Sequence, residues 1–157
     1  MDKENSVLIV DDEASNIGAL SSILDAEYRL YAVNNGADAV AAAEKHLPDL
    51  ILLDIIMPNM GGYDVLAALK SAEKTKDIAV IVISGLGDAA NEGKALASGA
   101  VDYVTKPFSP AVVRHRVRVH IQAVNTRREL DAARRALQSE TRGAGGTGTI
   151  GKEVERA

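Results

Sequence analysis

Short apolar runs alternate with longer segments of mixed polarity along the first two thirds of the chain. Five apolar runs predict strands, at residues 7–10, 28–33, 50–53, 78–83 and 101–104. Segments rich in Ala and Leu lie between them and predict helices, at 14–26, 36–46, 63–71 and 88–98. The first, third and fourth runs are apolar nearly throughout, as in parallel strands that are covered on both faces. This alternation predicts a doubly wound (βα)5 fold, a flavodoxin-like three-layer sandwich with a five-stranded parallel sheet in the order 2-1-3-4-5.

The segment after the fifth predicted strand is unusually long. Ser109 and Pro110 suit an N-cap and a first helical position, and no Gly or Pro follows until Gly143. The predicted helix has about 30 residues, where about 11–12 are usual. A weak heptad pattern with 4-3 spacing follows it, through Val112, Arg116, Val119, Ala123, Thr126, Leu130, Ala133 and Leu137. The helix is therefore either a solvated helix decorated with Arg or one that pairs with a partner helix.

Charge divides the chain into the same two parts. The net charge of −4 combines residues 1–113, with 8 basic and 17 acidic side chains, and residues 114–142, with 8 Arg and 3 acidic side chains. Residues 143–148 are rich in Gly and have the composition of a flexible linker. We expect a globular domain over 1–122 and an extended helix or coiled-coil connector over 123–142. A Gly-rich flexible tail is expected over 143–157, where a longer protein could have been truncated.

Composition excludes several classes of protein. The chain has no Cys, so it has no disulfides and no thiolate metal site. Its first five residues are polar apart from Met1, and no apolar run approaches the ~18 residues of a membrane span. We therefore expect a cytoplasmic protein without a membrane partner. Nucleic-acid binding is not expected, because the aromatic residues are only four Tyr and one Phe and no helix-turn-helix fits after residue 122.

Polar residues follow four of the five predicted strands. In an open doubly wound sheet, ligands bind beyond the carboxyl ends of the strands. Asp11 and Asp12 follow the first strand, Asp54 the third, Ser84 ends the fourth, and Lys106 follows the fifth. Each of these alone is an ordinary turn residue. Because all of them lie at the carboxyl ends of predicted strands, we expect them to form a ligand-binding site together.

The residue types indicate phosphoryl transfer. Neighbouring carboxylates repel one another, and a hard cation such as Mg²⁺ relieves that repulsion. Asp54 is the candidate nucleophile, since carboxylates can form aspartyl phosphates. Lys106 and Ser84 can bind phosphate oxygens by charge and by a hydroxyl donor. The reaction requires little more than positioning and charge neutralisation.

Together these motifs resemble the receiver domain of two-component response regulators, the CheY-like family. The resemblance covers residues 5 to about 122. It rests on the acidic-pair strand at 7–12, the loop Asp54-Ile55-Ile56-Met57-Pro58-Asn59-Met60-Gly61-Gly62, the Ser84 position and the segment 99–108 that ends in Lys106-Pro107-Phe108.

The resemblance implies that Asp54 accepts a phosphoryl group from a sensor histidine kinase or a histidine phosphotransfer protein. It implies Mg²⁺, or Mn²⁺, at Asp12, Asp54 and the backbone carbonyl of Ile56, with Asp11 acting partly through water. Lys106 would contact the phosphoryl group. The bond between Lys106 and Pro107 would be cis, an isomer that is inexpensive only before proline.

The resemblance also implies a switch. Ser84 would bond a new phosphate oxygen, and Tyr103 would turn from solvent into the protein, which reshapes the face of helix 4, strand 5 and helix 5. A homodimer through helix 5 or through that face, or a downstream output domain, would receive the signal. Ile56 and Leu86 are apolar and cannot orient an attacking water, which predicts slow self-dephosphorylation.

The sequence leaves two other functions open. A Mg²⁺-dependent aspartyl phosphohydrolase would place an acidic residue two positions after its nucleophile, where this chain has Ile56. We therefore expect a protein that catalyses at most its own phosphorylation and dephosphorylation. A dimerisation module that works without phosphorylation is the second alternative, with helix 5 as its working part.

Overall fold

The structure, a computed structural model, describes residues 3–146, with side chains described for residues 3–142. Strands and helices alternate along the chain. In order they are β1 Ser6–Val10, α1 Ala14–Leu24, β2 Arg29–Val33, α2 Gly36–His46, β3 Leu50–Asp54, α3 Gly62–Ser71, β4 Ala79–Ser84, α4 Ala89–Ala97, β5 Asp102–Thr105 and α5 Pro110–Gly146.

The five strands form one parallel sheet in the order β2-β1-β3-β4-β5. This confirms the predicted doubly wound fold. The three inner strands are buried along their whole length, whereas the edge strands β2 and β5 are partly exposed. Burial on both faces explains why the runs that became β1, β3 and β4 are almost free of polar residues.

Helices cover both faces of the sheet. The connection from β1 to β2 runs in the opposite direction to the next three, so the right-handed crossover rule places α1 on one face and α2, α3 and α4 on the other. Buried residues of those three helices share a core cluster with Leu8, Ile51 and Val80 of the inner strands. The start of α5 lies near the end of α1, since Arg118 pairs with Glu27 at 2.7 Å.

Helix α5 begins at the predicted residue. The amide of Val113 donates to the carbonyl of Ser109 at 3.0 Å, which closes the first turn around Pro110. The chain divides into two compact units, Met1–Ile121 and the part from Gln122 onward, and α5 contributes residues to both.

The helix ends at Gly146, four residues beyond the predicted end. Each Gly costs about 1 kcal/mol relative to Ala inside a helix, but extending an existing helix needs no new nucleation. Residues 143–146 of the tail predicted over 143–157 are therefore helical, and the rest of it, from residue 147 onward, lies outside the described residues. Within the described part of the chain, no helix is long and apolar enough to cross a membrane.

Candidate functional site

The parallel register brings the ends of the inner strands to one edge of the sheet. Val10 is aligned with Leu53, and Asp54 is aligned with Ile83 of β4. One carboxylate oxygen from each of Asp11, Asp12 and Asp54 therefore lies within 4.8 Å of the other two. Asp11 and Asp54 are buried and Asp12 is exposed, so the acidic cluster is open to solvent on the side of Asp12.

Lys106 reaches into this cluster from the loop after β5. Its Nζ lies 3.0 Å from Asp11 Oδ2 and 3.4 Å from Asp54 Oδ1. Its backbone amide donates to the carbonyl of Ser84 at 2.8 Å, and its peptide bond to Pro107 is cis. Burial disfavours the ammonium, but the hydrogen bond and charge of Asp11 and Asp54 outweigh it and raise the pKa of Lys106 above its usual value.

Asp11 is held by three donors. Besides Lys106, the amide of Glu13 donates to its Oδ1 at 2.9 Å, and Asn16 Nδ2 lies 3.5 Å from the same oxygen. Both of these donors are at the start of α1, so the first turn of that helix orients the carboxylate. These hydrogen bonds offset part of the cost of burying a polar side chain.

Asp54 is less well satisfied. Its Oδ1 accepts a long bond of 3.4 Å from the amide of Ile56, besides the contact with Lys106. Burial and the neighbouring charge of Asp11 raise the pKa of Asp54 to about 6, against the opposing effects of Lys106 and the Ile56 amide. Above that pH the cluster holds closely spaced negative charges with one cation.

The loop after β3 folds back tightly on itself. The amide of Gly62 donates to the carbonyl of Ile55 at 2.8 Å, and a Cβ on Gly62 would lie 2.3 Å from the carbonyl oxygen of Asp54. Only glycine fits at that distance. Asn59 adopts a positive φ of 68° within the same loop. Gly62 thus allows α3 to begin directly beside the candidate nucleophile.

Ser84 and Tyr103 both contact the backbone of Leu86. The amide of Leu86 donates to Ser84 Oγ at 3.1 Å, and the hydroxyl of Tyr103 donates to the carbonyl of Leu86. Ser84 is fully buried, and Tyr103 is 7% exposed. The side chain of Tyr103 is therefore inside the protein in this structure, and residue 86 connects it with Ser84.

The donor set fits a divalent cation. Mg²⁺ prefers oxygen ligands and usually takes one or two carboxylates together with water and phosphate oxygens. Asp11, Asp12 and Asp54 offer three carboxylates at one place, and burial together with the charge of Asp11 raises the pKa of Asp54. The position of the Ile56 carbonyl as a fourth ligand stays a prediction.

The structure brings together Asp11, Asp12, Asp54 and Lys106, while Ser84 points to its own loop. Sequence reasoning did not identify Asn16 as a partner of Asp11 or the Leu86 carbonyl as the acceptor of Tyr103. Asn16 could have been found from its position in the first turn of a helix that begins at the site.

A second polar cluster lies on β5 and α5. Asp102 accepts from Arg116 at 3.1 Å and lies 2.9 Å from His120 Nε2. Burial alone would raise the pKa of Asp102, but its hydrogen bonds to His120, the Tyr103 amide and Arg116 outweigh burial and lower it. His120 of α5 thus has a specific partner on β5.

Comparisons with known proteins agree with this geometry. The family model for the response regulator receiver domain matches residues 7–118. The chain is 39% identical over 117 residues to a probable cyclic di-GMP phosphodiesterase of Vibrio cholerae, covering 74% of this chain and 26% of that protein. It is 39% identical over 113 residues to the response regulator PleD of Caulobacter vibrioides, covering 71% of this chain and 25% of that protein. The chain therefore spans about a quarter of the length of these two relatives.

A solved structure shows the same fold with a metal. The receiver domain of the sensor histidine kinase PA1611 from Pseudomonas aeruginosa PAO1 has a magnesium ion coordinated in its active site cleft. It superposes with a TM-score of 0.70 at 26% identity, covering 75% of this chain and 98% of that one. The sequence resemblance is thereby confirmed, and the chain belongs to the response regulator receiver domain family.

Proposed function

We propose that this chain is a phosphoacceptor that takes a phosphoryl group on Asp54 from a histidine kinase or a histidine phosphotransfer protein. The observation that carries the proposal is the placement of Lys106 between the buried carboxylates of Asp11 and Asp54, with Asp12 at the open side. Membership of the receiver family supports the reaction class.

The chemistry follows from these side chains. An Asp54 carboxylate oxygen forms a bond to phosphorus while the bond from phosphorus to the imidazole nitrogen of the donor breaks. The carboxylate must be ionised to attack, and with a pKa of about 6 Asp54 is mostly ionised at neutral pH. Lys106 can exchange its contact with Asp54 for one with a phosphoryl oxygen, since its Nζ already lies at 3.4 Å from the carboxylate.

A divalent cation completes the site in this proposal. Asp11, Asp12 and Asp54 would hold Mg²⁺ or Mn²⁺, with the Ile56 carbonyl as a further ligand and Asp11 acting partly through water. When bound, the cation neutralises charge between the carboxylates and the phosphoryl oxygens. The protein's part is to hold Asp54 in place, through the tight loop that Gly62 permits, and to exclude solvent from its buried side.

The switch works through Leu86. If Ser84 Oγ turns to a phosphoryl oxygen, the amide of Leu86 loses its acceptor at 3.1 Å, and the loop must move. That movement shifts the Leu86 carbonyl and with it the hydroxyl of Tyr103. A local charge event is thereby coupled to the face formed by α4, β5 and α5.

The phosphoryl group is expected to be long-lived. Ile56 is 59% exposed and Leu86 is 38% exposed, so both apolar side chains lie at the surface near the cleft. Neither carries a group that could position or deprotonate water. Ile56 also lacks the acidic group that a phosphohydrolase would have at this position, which disfavours that activity. The chain would catalyse only its own phosphorylation and dephosphorylation.

The relatives indicate where the signal goes. The two relatives described are a probable cyclic di-GMP phosphodiesterase and a response regulator, and each is about four times longer than the matched region. We propose that the signal passes to an output domain or to a homodimer through α5 or through the face of α4, β5 and α5.

Mass spectrometry of the intact chain after incubation with acetyl phosphate and Mg²⁺ tests the proposal. We expect one added phosphoryl group in the parent chain and in Asp64→Asn, a control at an exposed carboxyl on α3. Asp54→Asn should gain none. Phosphorylation of Asp54→Asn to the parent level would overturn the assignment.

The same samples test the lifetime. After removal of acetyl phosphate, the fraction of phosphorylated chain should fall over minutes or longer. A half-life of seconds would contradict the role given to Ile56 and Leu86. Ile56→Asn and Leu86→Glu should each shorten the half-life, because they introduce side chains that can orient water.

A further inference from the structure

The distal part of α5 exposes large apolar side chains. Leu130 is 60% exposed and Leu137 is 67% exposed, in a segment, residues 122–142, that otherwise contains five Arg and three acidic residues. Leucines spaced seven residues apart lie on the same stripe of a helix. Such a stripe is stable in water when another helix covers it.

These leucines belong to a regular pattern, called here the distal seam. With Leu130 and Leu137 as a positions, the other a and d positions between residues 123 and 137 hold small residues. All five seam residues are exposed in the structure: Ala123, Thr126, Leu130, Ala133 and Leu137. Small residues between the leucines allow two helices to approach closely.

The charges beside the seam select an orientation. In this register Glu129 occupies a g position, and Arg127 and Arg134 occupy e positions. In a parallel pair, each g residue faces the e residue five positions later on the other helix, so Glu129 faces Arg134 twice. In an antiparallel pair, e residues face each other, which would bring Arg127 against Arg134 and cause repulsion.

We propose that the distal seam binds a second copy of this chain as a parallel, in-register two-helix coiled coil. Glu129 of each copy pairs with Arg134 of the other, and Leu130 and Leu137 form the centre. The contact is self-complementary, as a twofold interface requires. It specifies the α5 homodimer named in the proposed function, uses only residues 123–137 and includes no residue of the acidic cluster, so it can fail without affecting the assignment of Asp54.

The pair is short and therefore weak. It spans about two heptads, and helices of 12–15 residues are marginal without tertiary packing. We expect dimers at high micromolar chain concentration and monomers at nanomolar concentration. A downstream domain that dimerises would strengthen the contact by raising the effective concentration of the two helices.

Disulfide cross-linking tests the orientation, because the natural chain has no Cys. Ala133→Cys places a thiol at a d position, where a parallel in-register pair brings it opposite its own copy. Ala132→Cys is the matched control, one residue away at a c position that points outward. In a glutathione redox buffer we expect roughly tenfold more disulfide dimer from Ala133→Cys, since paired thiols have effective concentrations near the millimolar range.

Equal cross-linking of the two variants, more from Ala132→Cys, or none from either would overturn the proposal. Charge reversal gives a second measure that introduces no thiol. Sedimentation equilibrium should show weaker dimers for Glu129→Arg and for Arg134→Glu, and recovery for the double variant. Failure of the double variant to recover would exclude the Glu129–Arg134 pair and the proposed register.

Discussion

The acidic cluster and the distal seam differ in where their side chains find partners. In the acidic cluster, residues from different loops of one chain bind each other: Lys106 Nζ lies 3.0 Å from Asp11 Oδ2. In the distal seam, Leu130 and Leu137 remain more than half exposed in a single chain. The cluster thus completes its polar contacts within one chain, whereas the distal seam leaves apolar surface that the proposed second copy would cover.

The largest difference should appear within α5 itself. Ile121 is 4% exposed and packs in the receiver unit, whereas Leu130 is 60% exposed. Ile121→Ala should lower the free energy of unfolding by about 2–5 kcal/mol, the range for large-to-small changes in a core. Leu130→Ala should change it by less than about 0.5 kcal/mol. Urea denaturation at nanomolar chain concentration checks this, and similar losses for both variants would show that the distal seam is covered within one chain.

The loop beside the nucleophile should tolerate little change. Gly62→Ala places a Cβ 2.3 Å from the Asp54 carbonyl oxygen. The backbone must move to relieve this clash, which should lower the free energy of unfolding by about 3 kcal/mol. Gly93→Ala is the matched control, because nothing lies within 4 Å of its Cβ position on α4 and Ala favours helix by about 1 kcal/mol. Thermal unfolding should therefore shift down for the first variant and up for the second. A neutral Gly62→Ala would show that the loop is not held tightly.

The pKa of Asp54 predicts how pH affects stability in the absence of divalent cations. Because the folded-state pKa of about 6 lies above the usual 3.8, the folded chain binds this proton more tightly than the unfolded chain. The contribution of Asp54 is therefore favourable at low pH and is lost as the pH rises from about 4 to about 6. Relative to Asp54→Asn, the parent chain should lose up to about 3 kcal/mol of unfolding free energy between those limits.

Chemical denaturation of both variants from pH 4 to pH 8 measures this difference. Other titrating groups change the unfolding free energy of both chains equally, unless their titration depends on the charge of Asp54. Their effects therefore cancel in the difference. A constant difference across the range would mean that Asp54 titrates normally and that the cleft is better solvated than its burial indicates.

The smallest predicted effect comes from the cation. At ten times its dissociation constant, Mg²⁺ should raise the free energy of unfolding of the parent chain by about 1.4 kcal/mol. Asp12→Asn and Asp54→Asn should reduce that gain, and Asp64→Asn should keep it. Equal stabilisation of all four chains would place the ion outside the acidic cluster.

Much of the fold could be predicted because its inner strands carry a strong signal. The runs that form β1, β3 and β4 are apolar on both faces, and their predicted limits differ from the observed ones by at most one residue. The site followed from the rule that ligands bind beyond the carboxyl ends of such strands. The sequence could therefore direct attention to Asp11, Asp54 and Lys106 before any distance was known.

Other features depend on backbone geometry that side-chain patterns do not reveal. The sequence offers no reason for Tyr103 to bond the carbonyl of Leu86, because the conformation of residues 85–87 is not determined when Gly lies on both sides of Leu86. The continuation of α5 to Gly146 was also not predicted, since composition describes the cost of each Gly but not the benefit of extending a helix already formed.

The two hydrogen bonds at Leu86 have a consequence for how this protein can vary. Ser84 and Tyr103 contact the amide and the carbonyl of residue 86, which every amino acid except proline supplies. The side chain of the same residue is left partly exposed to solvent. In the proposed function, the backbone of residue 86 transmits the switch while its side chain sets the duration of the signal. Substitutions at this position could therefore retune timing and leave the transmission of the signal intact.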